Sequence, residues 1–345
     1  MPIFVFIDAF LSAFFVTILL IPIVKKLAVK WDALDYPGNR KIHDEPIPRL
    51  GGLGIYLGFV ITLIFVMLVY RSYELWPLFK PIIIGASLII LVGLIDDVKG
   101  MRPPIKLFFQ IIIAMIIVSM GIRIDFISNP FGGILYLPAF LAWIVTLFWI
   151  VGITNTINLI DGVDGLAAGV TLIAASTMFI VAILLKRYEI AILAIALAGA
   201  TLGFLKFNFT PASIFMGDTG SMLLGFILAC ISVLGVLKSA ATLALAIPLL
   251  ALGIPIMDTL AAILRRVKNK RHIFKADDQH LHHRLLMLGF SQRQVVWVIY
   301  YVSIILSIGA LFITLISGLW AFIFLLTIIF LIYFGIRKIK RMELI

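Results

Sequence analysis

The acidic residues of this chain collect where apolar runs end. Asp96 and Asp97 close a run in "GLIDDVKG", Asp161 and Asp164 stand in "TNTINLIDGVDGLAAG", and Asp218 stands in "KFNFTPASIFMGDTGS". Adjacent carboxylates at the end of an apolar run are costly unless a cation or solvent takes up their charge. At a helix C-terminus they also oppose the macrodipole. Asp96 and Asp97 are therefore either a solvated helix end beside Lys99 or a functional pair compensated from elsewhere, and the opposed dipole favours the second.

Asn155, Asn158 and Asp161 recur every third residue, so on a helix they share one face. Three polar groups on one stripe ask for more than a cap. Asp161 and Asp164 each precede a glycine, which lets the backbone approach a ligand closely, although Asp164 also suits a cap on the helix that follows. Asp218 likewise sits where an N-cap belongs, but capping leaves Asn208 unexplained. A helix N-terminus offers amides and a positive dipole to an anion, while the carboxylate can hold a cation. Together they suit a metal-bound diphosphate, since Mg²⁺ takes one or two protein carboxylates and fills its shell with phosphate oxygens and water. Magnesium is the expected cation, with manganese as the alternative.

Three of the five histidines, His280, His282 and His283, fall in "DDQHLHHRLLMLG". No cysteine or nearby fourth ligand completes a zinc site. On a helix His280, His283 and Arg284 form a polar flank and Leu281, Leu285 and Leu288 an apolar stripe. This predicts a short helix at the membrane surface, which either presents cationic donors to phosphate or is merely interfacial.

The elements that must position these residues are membrane helices. The 345 residues are 63% hydrophobic and 13% charged, too little polar surface to cover a soluble globule. Apolar runs of about 20 residues, enough to span ~30 Å of hydrocarbon, leave no room for a separate soluble domain. The expectation is one all-α, polytopic domain over residues 1–345. About eleven spans are expected, starting near Ile3, Gly51, Pro81, Ile105, Pro138, Gly165, Ile190, Thr219, Thr242, Val295 and Leu319.

No basic residue precedes the first run, and Lys25 and Lys26 follow it, which predicts a retained helix with its N-terminus outside. Threading the chain from there puts 22 of 28 Lys and Arg, and 13 of 17 acidic residues, on the cytoplasmic side or at inner helix ends, with a cytoplasmic C-terminus. The net charge of +11 is then mostly a property of the inner face, suited to anionic lipid and phosphate ligands. Cys230 is the sole cysteine, so neither a disulfide framework nor a cysteine-based metal site exists.

Taken in order, "RKIHDEPIPRLGGLGI", "DDVKG", "NLIDGVDGLAAG", "NFTPASIFMGDTGS" and "DDQHLHHRL" cover most of the chain. Their combination resembles the polyprenyl-phosphate N-acetylhexosamine-1-phosphate transferases, membrane enzymes that include the MraY, WecA and TagO types. The resemblance implies transfer of a sugar 1-phosphate from a UDP-sugar donor to undecaprenyl phosphate, releasing UMP at the cytoplasmic face of the plasma membrane. It makes Asp96 and Asp97 the catalytic acidic pair, Asp161 a further essential aspartate and Asp218 the magnesium ligand. It also makes Asn208 a polar active-site residue, Asp164 a contact to the uracil and Lys106, in "RPPIKLFFQ", a phosphate-binding lysine. "PIPRLGG" and "HLHHR" resemble the branch that uses UDP-GlcNAc, because the branch using UDP-MurNAc-pentapeptide has a longer histidine run followed by acidic and aromatic residues. Membrane lipids are the surroundings, no nucleic-acid partner is implied, and a homodimer is compatible with a sequence that does not fix the oligomer.

Two chemical schemes stay open, direct attack of the lipid phosphate on the donor's β-phosphorus and a covalent phospho-sugar on an aspartate. A dianionic acceptor needs little help from a base, since the second pKa of a phosphate monoester is about 6, which favours direct attack. Other classes explain less. An intramembrane aspartyl protease leaves the histidines and asparagines unused, and a prenyltransferase shares only the acidic pairs and magnesium. A transporter would carry its polar residues near the midplane.

Overall fold

The computed structural model describes residues 3–37, 45–128, 133–236, 246–268, 280–315, 320–328 and 330–331. Helices dominate it, as the apolar runs predict: α1 (Phe4–Lys30), α2 (Gly51–Val69), α3 (Trp76–Lys99), α4 (Pro103–Ser119), α5 (Ala139–Ile160), α6 (Leu166–Leu184), α7 (Tyr188–Asn208) and α8 (Gly217–Val236). After these come α9 (Ala246–Ala251), α10 (Gly253–Lys268), α11 (Leu281–Met287) and α12 (Gln292–Leu315). Two short antiparallel pairs, β1 (Leu34–Asp35) with β2 (Ile47–Pro48) and β3 (Phe126–Ser128) with β4 (Ile134–Tyr136), close loops that composition alone leaves undefined.

Among the described residues eight helices are long and apolar enough to cross a bilayer: α1, α2, α3, α5, α6, α7, α8 and α12. The 17-residue α4 is apolar but shorter. The run expected from Thr242 is not one span in the described residues. Its first residues lie outside them, and the rest is two helices, α9 and α10, parted at Leu252. Gly253 and Pro255 at the junction explain the break, since glycine is a poor helix former and proline is tolerated only in a first turn. Asp258, Arg265, Arg266 and Lys268 make α10 amphipathic. Of the run expected from Leu319, residues 320–328 are helical.

α8 is the axis of the bundle, buried along almost its whole length against α2, α3, α5, α6 and α7. α1 packs along α7 and α2, and α12 closes the side formed by α6 and α9. Chain direction sorts the ends. The Tyr70 hydroxyl donates to Asp8, joining the end of α2 to the start of α1. At the opposite end the starts of α2 and α8 meet the end of α3: Phe215 N donates to Pro48 O (2.7 Å), Gly51 N to Phe215 O and Gly52 N to Met216 O (both 3.0 Å). That second end is where the sequence clusters fall.

Candidate active site

Three chain segments bring their carboxylates to one recess. The last turn of α3 supplies Asp96 and Asp97, the first turn of α8 Asp218, and the residue after α5 Asp161. α4 contributes the cation. Lys106 stands in its first turn and faces back toward α3. Its Nζ contacts Asp96 Oδ2 and lies 3.0 Å from Asp218 Oδ1. The Asn158 side chain, on the α5 stripe foreseen from the spacing, donates to Asp218 Oδ1 and to Ser221 Oγ (2.8 Å). One oxygen of Asp218 is thus held by a lysine and an amide from two different helices.

Asp97 occupies a different position from its neighbour. Its Oδ1 accepts the Asp218 amide (3.0 Å), and its Oδ2 accepts the Thr219 amide (2.9 Å) and hydroxyl (2.5 Å). The cap of α8 is therefore Asp97, a residue 121 positions earlier, and not Asp218. These two amides are taken, so they are not free to bind an anion, contrary to the open N-terminus expected from the sequence. Gly217 makes the arrangement feasible: its φ is +72°, and a Cβ there would run into the Arg49 carbonyl and the Asp97 carboxylate. Arg49 completes the joint by donating from Nε (3.1 Å) and Nη2 (2.6 Å) to the Asp97 carbonyl.

Asp161 is half-buried at the end of α5. Burial, and then the charges of Asp218, Asp97 and Asp164, push its carboxyl up to about 8. Such a group can hold a proton at neutral pH and exchange it nearby. Asp164 lies in the following turn, where its Oδ2 accepts the Ala212 amide (2.9 Å) and its carbonyl accepts the Thr210 hydroxyl (3.4 Å). Asn208 bridges the same two segments. It accepts the Gly165 amide and donates to Ile214 O, both at 3.0 Å, and is buried. Asn208 is thus placed to hold the loops around Asp164, with its amide spent on protein. Asn155 is similar: its Nδ2 donates to Gln110 Oε1 (2.6 Å) and Val151 O (2.8 Å), so that amide ties α5 to α4.

The histidine segment forms the predicted short helix, α11, which is tied to α10 and packs against the turn that follows Asp161. His280 Nδ1 lies 2.9 Å from Asp258 Oδ2 on α10, and Asp258 Oδ1 accepts the Leu281 amide (3.0 Å). The His282 ring stacks on His280 at 5.9 Å and packs on His283 at 4.2 Å. Its Nε2 lies against Gly162, where an added Cβ would stand 2.8 Å from it. The glycine after Asp161 therefore admits a histidine from α11. Burial, reinforced by His283, lowers the His282 imidazole to about 4, so it is neutral at physiological pH. His282 and Arg284 are buried, whereas His283 is half-buried. Asp277 and Asp278 of the same motif lie outside the described residues.

Sequence reasoning did not single out Arg49, Gln110, Thr219, Ser221 or Asp258 as part of this site. Gln110 carried a signal, four residues after Lys106 and on the same helix face. Asp258, inside an apolar run, carried another. Arg49 and Thr219 act through contacts that no local pattern contains.

The arrangement can neutralise and orient phosphates: clustered carboxylates hold a lysine ammonium between them, and their charge exceeds that of the cations facing them. Among the described residues no three His, Cys, Asp or Glu side chains form a ready-made metal cage. Asp218 and its neighbours nevertheless suit a hard divalent cation that keeps water and phosphate oxygens in its shell, because Lys106 already occupies a cation position between Asp96 and Asp218.

Comparison with known proteins adds an independent line. Residues 79–236 match the family described as glycosyl transferase family 4. The chain is 41% identical over 321 residues to a probable undecaprenyl-phosphate N-acetylglucosaminyl 1-phosphate transferase of Bacillus subtilis, covering 93% of this chain and 88% of that protein. It is 37% identical over 325 residues to a decaprenyl-phosphate N-acetylglucosaminephosphotransferase of Mycobacterium leprae, covering 87% and 81%. A phospho-N-acetylmuramoyl-pentapeptide-transferase of Bacillus cytotoxicus is 30% identical over 327 residues, covering 90% and 96%.

Proposed function

The chain belongs to glycosyl transferase family 4, among the polyprenyl-phosphate N-acetylhexosamine-1-phosphate transferases, and we propose that it transfers N-acetylglucosamine 1-phosphate from UDP-GlcNAc to undecaprenyl phosphate. An oxygen of the lipid phosphate forms a bond to the β-phosphorus of the donor, the bond from that phosphorus to the bridging oxygen breaks, and UMP leaves with that oxygen. The product is undecaprenyl-diphospho-GlcNAc, the first lipid-linked intermediate of a cell-envelope glycan. The 41% identity across nearly the whole chain supports the GlcNAc donor over the pentapeptide donor, where identity is 30%.

The observation that carries the mechanism is Lys106 seated between Asp96 and Asp218. Bringing a dianionic acceptor to a diphosphate is an electrostatic problem, solved by oriented cations more than by a base. Lys106 would meet the acceptor phosphate, with Asp96 fixing the ammonium. Asp218 would hold magnesium, with Asn158 fixing its carboxylate. Magnesium supplies charge neutralisation of the diphosphate and in-line alignment. Asp161, protonated near neutrality, would donate a hydrogen bond to a phosphate oxygen, and the acceptor, mostly a dianion at neutral pH, would need no base. Asp164 would face the base of the donor, its loop held by Asn208, while α11 with His283 and Arg284 would close over the donor phosphates.

On this reading the recess faces the cytoplasm of a multi-pass plasma-membrane protein. The test is UMP release by purified protein from UDP-GlcNAc. It should require both undecaprenyl phosphate and a divalent cation and stop on chelation. UMP release without the lipid acceptor would point to hydrolysis and defeat the proposal.

A further inference from the structure

The two members of the acidic pair are not equivalent, and the difference lies in what their oxygens touch. Both oxygens of Asp97 are occupied by donors from the first turn of α8, and the residue is only 3% exposed. A general base or a metal ligand needs an oxygen to spare, and Asp97 spends both of its oxygens on donors from the start of α8, with Arg49 Nε a further 3.9 Å from Oδ1. Asp96 instead contacts Lys106, which also touches Asp218. We infer that Asp97 is a positioning residue that sets Asp218 through the amides of α8.

The α8 start is held from two directions. On one side residues 48–52 pair with 215 and 216 through backbone hydrogen bonds. On the other Asp97 binds Asp218 N, Thr219 N and Thr219 Oγ1, while Arg49 fixes the Asp97 carbonyl. Asp218 sits on the first turn so clamped. A residue held at its own amide has its Cα placed within tenths of an ångström, so its carboxylate can serve a cation without a search. Arg49 belongs to the same clamp: its position in "PIPRLGG" brings the start of α2 to the end of α3. Thr219 is the informative partner, since it is fully buried and both its amide and its hydroxyl go to Asp97.

The inference rests on the transferase reading for the role of Asp218 as the residue that holds the cation, but the clamp has a readout of its own. Purified parent protein, Thr219→Val, Thr219→Ser and Asp97→Asn are titrated with Mn²⁺ alone, followed by its electron paramagnetic resonance signal, and all are checked for folding by size-exclusion profile. Loss of an outer partner typically costs 10- to 100-fold in metal affinity. Thr219→Val should weaken Mn²⁺ binding on the order of tenfold, Thr219→Ser should restore it, and Asp97→Asn should weaken it at least as much as Thr219→Val. In turnover assays the residual kcat of Asp97→Asn should keep the parent's pH profile. Parent-like Mn²⁺ affinity in Thr219→Val, absence of Mn²⁺ binding by the parent, or loss of the acid limb of the kcat profile in Asp97→Asn would each overturn the positioning role. Failure of the parent to turn over UDP-GlcNAc would defeat the transferase reading alone, leaving the Mn²⁺ arm to decide the clamp.

Discussion

Asp218→Asn separates charge from shape at the centre of the recess. The substitution keeps the side-chain volume and one acceptor oxygen for Asn158 but removes a negative charge 3.0 Å from Lys106 Nζ. At an effective dielectric of about 20 a pair of unit charges at that distance interacts by about 5.5 kcal/mol. Asp218 keeps about a third of its side chain exposed, and solvent there screens the interaction, leaving about 3 kcal/mol. A similar loss of oriented contact to a transferring phosphoryl group lowers kcat roughly a hundredfold. Stability should fall by no more than that lost pair, because α8 is capped by Asp97, which the substitution leaves in place. The assay is UMP release at saturating UDP-GlcNAc and undecaprenyl phosphate, across a magnesium series, beside a thermal melt in detergent. Near-parent turnover at low magnesium would refute the metal role of Asp218. A collapsed melting temperature would refute the assignment of the cap to Asp97.

Other expectations follow from particular contacts. Gly162→Ala sets a methyl 2.8 Å from His282 Nε2; displacing the packed ring should cost about 1–3 kcal/mol, read as a lower melting temperature and weaker donor binding. His282 has a folded pKa near 4, below its unfolded value of about 6.5, so the stabilisation is fully present above pH 6.5 and is lost as pH falls toward 4. The loss amounts to up to about 3 kcal/mol, which a melting series from pH 7 to 4 should register and His282→Phe should flatten. Tags after Ile345 and within residues 268–275 should report cytoplasm and a tag at residues 72–78 the exterior, as the distribution of Lys and Arg requires; an external C-terminus would break the eleven-span threading.

The parts of this protein that were legible in the sequence are those governed by local chemistry. Eight of the expected spans appear as helices long and apolar enough to cross, because burying a backbone in hydrocarbon leaves a helix as the solution for each run. The clusters around Asp96, Asp161 and Asp218 meet because alternate threading puts their ends on one side. What sequence spacing could not give is which oxygen each carboxylate offers. Asp97 and Thr219 are 122 positions apart, and Arg49 and Asp97 are 48 apart, so the clamp exists only after α2, α3 and α8 have packed. The polar asparagines read as ligands for the same reason: spacing put Asn155 on the right face, but its donors go to Gln110 and Val151. The division of the run near Thr242 followed local signals, Gly253 and Pro255, that its high hydropathy outweighed.

The central claim is a GlcNAc 1-phosphate transfer at the recess built by Asp96, Lys106 and Asp218. The most direct measurement presents purified protein, undecaprenyl phosphate and magnesium with UDP-GlcNAc and UDP-MurNAc-pentapeptide in parallel, and follows UMP together with the lipid-linked product by mass spectrometry. Turnover with UDP-GlcNAc, with the lipid gaining a GlcNAc 1-phosphate unit and no turnover of the pentapeptide donor, is the result predicted. Turnover of the pentapeptide donor alone, or UMP formed with no gain in lipid mass, would contradict it.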